Sequence, residues 1–310
     1  MRTNGKMTET ERFLSLVPVP AHFEPYYKDD ELLIVNSNAA LADPGTARPN
    51  MNIVAICVKG KMSMNINGQS ITFQANELFV CPPGVMISEP MFTADFEYFA
   101  LCITNHALQV LLRSYMSIWN QVTYIDKIRK VSLTERDMMI CHKAYQLVKL
   151  CLDTQIEEEE QQQMRRDILY GYLSSMLTGM TWVLKKNVLG QGQMEKPKQS
   201  LSLFNQFLQL LQTTEVKHQT VEHYASELCI STKYLSVICK QNSNKTALQW
   251  IQEYTLADIT WYLKNTDLSL KEVCNKVGFP NTSFFGKYFR EHFHCTPMEY
   301  RQRKSKSEEL

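Results

Sequence analysis

The sequence predicts an α+β protein in two parts: a β-barrel or sandwich followed by a helical segment, then an all-α C-terminal domain. Three observations carry this. The hydrophobic period changes from two to between three and four near residue 104. An Asn-Gly pair flanked by alternating apolar and polar residues marks a hairpin in the first part. The last hundred or so residues hold two copies of one pattern, offset by about 50 residues.

Composition bounds the rest. With 310 residues, 44% hydrophobic and 21% charged, the chain can build two separate cores. No apolar stretch approaches the roughly 18 to 20 residues that span a bilayer, so no membrane partner is expected. The N-terminus has scattered charges around one short apolar patch and no basic head before an apolar block, which points to the cytoplasm. Cysteines 57, 81, 102, 141, 151, 229, 239, 274 and 295 never form a C-x-x-C pair, and most have apolar neighbours. They read as small core hydrophobes in a reducing compartment, not as a disulfide frame or zinc site. The net charge of +1 provides no global attraction to polyanions, so any nucleic-acid binding must come from local placement of basic groups.

Residues 1–104 form the β part. Apolar runs occur at 31–35, 52–58 and 96–103. Met62–Ile66 and Gln69–Phe73 alternate on either side of Asn67-Gly68, which accommodates the positive φ values of a type I′ turn. A further strand at Leu78–Cys81 stops at Pro82-Pro83-Gly84.

Residues 105–187 read as helical. Leu169, Leu173, Met176, Met180 and Val183 make one apolar seam. That seam either covers the β domain or forms a dimer interface; Ile168, Tyr172 and Leu184, a second apolar edge beside it, favour a homodimer. The acidic run Glu157–Glu160 reads as a solvated loop or helix start. Residues 188–200, with two glycines, a proline and many polar side chains, read as a linker.

The repeat occupies 201–305. In the first copy Ala225 and Leu228 share a helix face, Cys229-Ile230 turn, and Ser231 caps a helix bearing Tyr234-Leu235 and Ile238-Cys239. In the second, Cys274 and Val277 share the face, Gly278-Phe279-Pro280 turn, and Asn281 caps a helix bearing Phe284-Phe285 and Tyr288-Phe289. The match continues through Asn244 and His294, Thr246 and Thr296, Leu248 and Met298, and Trp250 and Tyr300. A small residue for close helix crossing, an apolar plug in the turn and a capping oxygen are the parts of a helix-turn-helix.

The apolar pairs bury one side of each second helix and leave the other for DNA. That side carries Ser231, Thr232, Lys233, Ser236, Val237, Lys240 and Gln241 in the first copy. In the second it carries Asn281, Thr282, Ser283, Gly286, Lys287 and Arg290. Short polar groups can approach base edges, apolar atoms can meet a thymine methyl, and long cations can reach guanine or phosphate. Gly286 weakens the helix by roughly 1 kcal/mol against alanine, which fits a surface that comes close to another one. Between the copies, Lys245–Lys264 lacks glycine and proline and predicts one helix of about 20 residues, or about 30 Å. Successive major-groove positions lie roughly 34 Å apart, so one subunit would reach two of them.

The C-terminal segment, about 203–303, resembles the DNA-binding domain of the AraC/XylS family of bacterial transcription regulators. Residues Val277–Arg290 and Thr296–Arg301 follow the family signature most closely. Asn244 and His294 stand where the family usually has glycine, and Thr255 where it has arginine. Asn tolerates a left-handed conformation; the turn at His294 is expected to be strained or differently shaped. The resemblance implies double-stranded DNA, RNA polymerase and a second copy as partners, a role as transcriptional activator, and a bacterial cytoplasmic location. It also implies a cupin-like β-barrel in front for a small-molecule effector, with a helical dimerisation segment.

No enzyme is indicated. The sequence lacks G-x-x-x-x-G-K-[ST], G-x-G-x-x-G and H-E-x-x-H, and Met62-Ser63-Met64-Asn65 stands where enzymatic cupins place metal-binding histidines. No metal, cofactor or catalytic residue is therefore expected. Two alternatives stay open: a ligand-binding cupin protein whose C-terminal helices mediate protein contacts, favoured by the balanced charge after residue 200, and a cupin-type enzyme with a regulatory tail.

Overall fold

The computed structural model describes residues 25–36, 49–125, 129–153, 159–190 and 199–305, with Thr8, Thr10 and Lys127. The chain divides into two compact units, and the predicted helical segment is shared between them. The first comprises Met1–Leu108, Ile118–Lys143 and Gly179–Gly192, and the second Gln109–Ser117, Ala144–Thr178 and Gln193–Leu310.

In the first unit the strands fall into two antiparallel sheets. They are β1 (Tyr27–Lys28), β2 (Leu32–Asn36), β3 (Asn52–Lys59), β4 (Lys61–Ile66), β5 (Gln69–Gln74), β6 (Glu77–Cys81), β7 (Ile87–Phe92), β8 (Glu97–Ile103) and β9 (Lys130–Ser132). The larger sheet runs β1-β2-β8-β3-β6-β9 and the smaller β5-β4-β7. Of the two architectures expected, a barrel or a sandwich, the closed cupin-like barrel is thus corrected to two sheets.

The hairpin β4–β5 pairs Ile66 with Gln69 across Asn67 (φ 49°) and Gly68 (φ 82°), as the Asn-Gly signal predicts. The chain passes from the larger sheet to the smaller at Gly60 alone, at φ 70°. A Cβ there would lie 2.6 Å from Thr93 Oγ1 and 2.8 Å from the Phe96 Cα, so this corner requires glycine. Leu33, Ala55, Cys57, Phe79 and Cys102 of the larger sheet share one core with Met64, Ile66 and Phe73 of the smaller.

Burial pushes the Cys57 thiol up to about 11 and that of Cys81 up to about 12, which leaves both protonated and unreactive. Strand β7 escapes sequence reasoning because it alternates poorly and contains Pro90, tolerated on the edge of its sheet. Strand β9, three residues long within the segment read as helical, is too short to show a period.

The helices that follow are α1 (Asn105–Leu111), a 3-10 turn (Arg113–Tyr115), α2 (Met116–Asn120), α3 (Glu135–Asp153) and α4 (Glu159–Gly190). On α4 the predicted dimer seam is core: Leu169, Leu173, Met176 and Met180 are buried within the single chain, Leu184 with them, and Val183 is half-buried. The seam is therefore unavailable to a partner. Among the described side chains of α4, Met164, Ile168, Tyr172 and Trp182 are large, apolar and exposed. Part of the acidic run (157–158) and most of the expected linker (191–198) lie outside the described residues. Among the described residues, no helix is long and apolar enough to cross a membrane.

The C-terminal part of the second unit is all helical: α5 (Gln199–Thr213), α6 (Val221–Glu227), α7 (Thr232–Ser243), α8 (Ala247–Asn265), α9 (Leu270–Lys276), α10 (Thr282–Phe293) and α11 (Pro297–Ser305). Helix α8 begins two residues later than Lys245 because Thr246 caps it, its side chain accepting from the Gln249 amide while Gln249 accepts from the Thr246 amide. Its 19 residues span about 28 Å.

Candidate nucleic-acid interface

Two matched constructions stand on either side of α8. In the first, α6 and α7 meet at a turn where the Ile230 amide donates to the Ala225 carbonyl at 3.0 Å. In the second, α9 and α10 meet where the Phe279 amide donates to the Cys274 carbonyl, also at 3.0 Å. The residue before the plug is left-handed in both, Cys229 at φ 55° and Gly278 at φ 83°. Ser231 then caps α7 by accepting from the Tyr234 amide at 3.2 Å, and Asn281 caps α10 by accepting from the Phe284 amide at 2.8 Å. The two second helices also end alike. Asn244 (φ 58°, ψ 8°) and His294 (φ 55°, ψ 16°) are both left-handed, and their amides donate to Lys240 and Arg290 respectively. The turn at His294 is thus not differently shaped.

Each motif buries its inner side against α8. Trp250 of α8 meets Phe204 at 6.0 Å, and its indole N–H donates to the Ser243 hydroxyl at 2.8 Å. Leu256, Ile259 and Leu263 of α8 pack with Val273, Val277, Phe279, Phe285 and Phe289 of the second motif. Thr255, where an arginine was expected, is buried; its hydroxyl donates to the Ile251 carbonyl at 2.8 Å, so the site is satisfied without charge.

None of the residues read as DNA-facing is buried. Ser231, Lys233, Val237, Lys240 and Gln241 are exposed on the first motif, with Thr232 and Ser236 half-buried. Asn281, Thr282, Ser283, Lys287 and Arg290 are exposed on the second. A Cβ at Gly286 would meet nothing within 4 Å. The Lys240 ammonium donates to the Asn244 carbonyl at 2.7 Å, so part of its charge serves its own helix end.

Sequence reasoning missed Tyr234 and Phe284. Both were read as inner residues, yet they are 41% and 53% exposed at the start of α7 and α10. The missed signal is the 3.6 period itself: Leu235 and Cys239, or Phe285 and Phe289, already define the buried stripe, and the preceding residue points about 100° away.

Burial pushes the Cys239 thiol up to about 12, and no group of three or more His, Cys, Asp or Glu among the described residues could hold a metal ion.

A family model described as a helix-turn-helix domain matches residues 224–303, which include both turns, both caps and α8. This segment is an AraC-type helix-turn-helix domain. The AraC-type domain is 29% identical over 86 residues to the HTH-type transcriptional regulator AlkR of Acinetobacter baylyi, covering 28% of each chain. It is 30% identical over 86 residues to the HTH-type transcriptional activator RhaR of Mannheimia succiniciproducens, covering 26% of this chain and 31% of that one. The chain thus spans less than a third of the length of these two relatives. Among solved structures, the C-terminal domain of AraT, a response regulator from Geobacillus stearothermophilus, is similar at 22% identity. That likeness covers 33% of this chain and 85% of that chain, at a TM-score of 0.31.

Proposed function

We propose that the chain is a sequence-specific DNA-binding transcription regulator and no enzyme. In this reading α7 and α10 enter successive major grooves on one face of double-stranded DNA. The observation that carries the reading is the pair of capped, outward-facing helices built alike on either side of one continuous helix of about 28 Å. Ser231, Thr232, Lys233, Ser236, Val237, Lys240 and Gln241 face one groove; Asn281, Thr282, Ser283, Gly286, Lys287 and Arg290 face the next. RNA polymerase is then the protein partner through which a bound activator acts.

The β domain takes the role of an effector domain for a small organic molecule, with no metal, since the side chains of its shared core are apolar. A homodimer forms through the exposed edge of α4, with Ile168 and Tyr172 taking the place of the buried seam. Its cellular location is the bacterial cytoplasm.

Selection from genomic fragments by gel shift, followed by sequencing of what is retained, tests the central claim. The expected result is one shared motif with two boxes about one helical turn apart, and binding that weakens steeply with salt. Retention without a common motif would refute sequence-specific recognition.

A further inference from the structure

The two motifs share more than α8. The short segment Val216–His218, between α5 and α6, touches three bodies at once. Its Lys217 carbonyl accepts from the hydroxyl of Tyr224, on α6 of the first motif, at 2.9 Å. The Lys217 ammonium meets Asp258 of α8 at 2.8 Å, with both side chains nearly buried. The His218 ring lies flat on Phe279 of the second motif, centroids 3.9 Å apart and planes at 14°, with the edge of Tyr288 of α10 at 5.6 Å. Val216 closes the contact from the other side: a Cβ on Gly278 would come within 2.3 Å of its Cγ1.

We infer that Val216–His218 is a positioning strap, which fixes the second reading helix relative to the first and thereby sets the spacing of the two DNA boxes. The inference rests on the DNA-reading function above and assigns residues outside both reading helices to it. Helix α8 sets the distance between the motifs, and the second motif packs on it through Val273 and Val277, Phe285 and Phe289, and Tyr300. The strap adds a tie that does not pass through α8: its ring stacks on Phe279 while its backbone is bonded to Tyr224 of the first motif, which resists rotation of one motif against the other. The strap is tied at a carboxylate with two cationic partners. Asp258 Oδ2 takes Lys217, and Oδ1 takes Arg113 at 3.0 Å, whose guanidinium also lies 4.5 Å from the Trp261 ring centroid. Arg113 belongs to the 3-10 turn far ahead of the DNA-binding segment, so the anchor of the strap is open to influence from outside that segment.

Spacing selectivity of the full chain is the test. Wild-type protein selects sites from random double-stranded DNA, and affinity is then measured on the selected site with one to five base pairs inserted between its boxes. Wild type should lose about tenfold or more at the first insertion, the scale of one lost base-pair contact. His218→Ala should lose that selectivity, so that neighbouring spacings bind alike, and Lys217→Met should do the same. His218→Phe, which keeps a flat ring on Phe279, should restore the wild-type profile. A uniform drop at every spacing, or a profile in His218→Ala as sharp as wild type, would overturn the strap while leaving DNA recognition intact. Failure of wild type to enrich any sequence would instead remove the function on which the strap depends.

Discussion

The two helix-turn-helix motifs share a plan but differ in what surrounds their turns. Cys229 and Gly278 occupy the same place, 49 residues apart, with the same left-handed backbone. Cys229 is exposed, whereas the position of a Gly278 side chain is already filled by Val216. The second motif also has the longer turn, since Asn281 follows Ser231 by 50 residues and Pro280 is the added one. Glycine is therefore needed in the second motif for two reasons, backbone sign and space. In the first only the backbone reason applies, and cysteine tolerates it. Internal repeats keep the bonds that make the motif and diverge where neighbours differ.

The same substitution at both turns should break this symmetry most strongly. Gly278→Ala combines a left-handed residue with a Cβ inside contact distance, and should cost about 2 to 4 kcal/mol in unfolding free energy. Cys229→Ala changes neither backbone sign nor packing and should stay within about 0.5 kcal/mol. Urea denaturation with unchanged slope measures both. Equal losses would show that Val216 gives way freely and that the strap exerts no steric demand.

DNA recognition should separate the motifs next. Arg290 has an exposed guanidinium, while Lys240 is bonded to the Asn244 carbonyl. Arg290→Ala should cost about 1 to 3 kcal/mol of binding and relax preference in one box. Lys240→Ala should weaken binding more evenly across sequences and lower the salt slope by about one. A Lys240→Ala variant with altered base preference would reverse the assignment.

How far the sequence was legible follows the same division. The paired caps, plugs and left-handed helix ends were readable because each depends on a few neighbouring residues of the right chemistry. Ser231, Asn281 and Asn244 announce themselves; His294 does not, because histidine is a poor left-handed residue and its place in the repeat alone pointed there. What depended on distant contacts was not readable. Leu169, Leu173, Met176 and Met180 have the period of an interface, but a period gives the apolar side of a helix and not what covers it. A run of short strands likewise signals a β domain without deciding whether its sheet closes, and here the corner at Gly60 separates two sheets. The strap was invisible for the same reason: nothing near His218 in sequence points to Phe279.

Acid should loosen the second motif and spare the first. Burial holds the His218 pKa below its ordinary 6.5, only partly opposed by the Gly278 carbonyl beside its Nδ1. A histidine with a depressed folded value favours the folded state fully above its ordinary pKa, and this contribution is lost as pH falls through the folded value. Amide protection factors around Phe279 and Tyr288, referred to the intrinsic exchange rate at each pH, should therefore fall below pH 6.5 in wild type and not in His218→Phe. Protection around Ile230 and Tyr234 should change equally little in both proteins. Matching acid sensitivity in the two motifs would assign it to some group other than His218.

The smallest expected effect concerns the ends of the reading helices, where the motifs coincide in shape but not in residue. Asn244 and His294 hold nearly identical left-handed angles, yet only asparagine adopts them readily, through its short polar side chain. For an ordinary L-residue this conformation costs roughly 1 to 2 kcal/mol, which glycine would relieve. Glycine also loosens the unfolded chain, which takes back about 0.4 to 1 kcal/mol. The balance favours His294→Gly by about 0.5 to 1 kcal/mol, since the His294 side chain is exposed and gives up little packing. At Asn244 the first term is smaller, so Asn244→Gly should come out near zero or slightly destabilising. The Lys240 ammonium bonds the backbone carbonyl there and survives the change. Paired urea titrations of the two variants give the difference directly, and a destabilised His294→Gly would mean that the imidazole supports the last turn of α10 beyond its backbone.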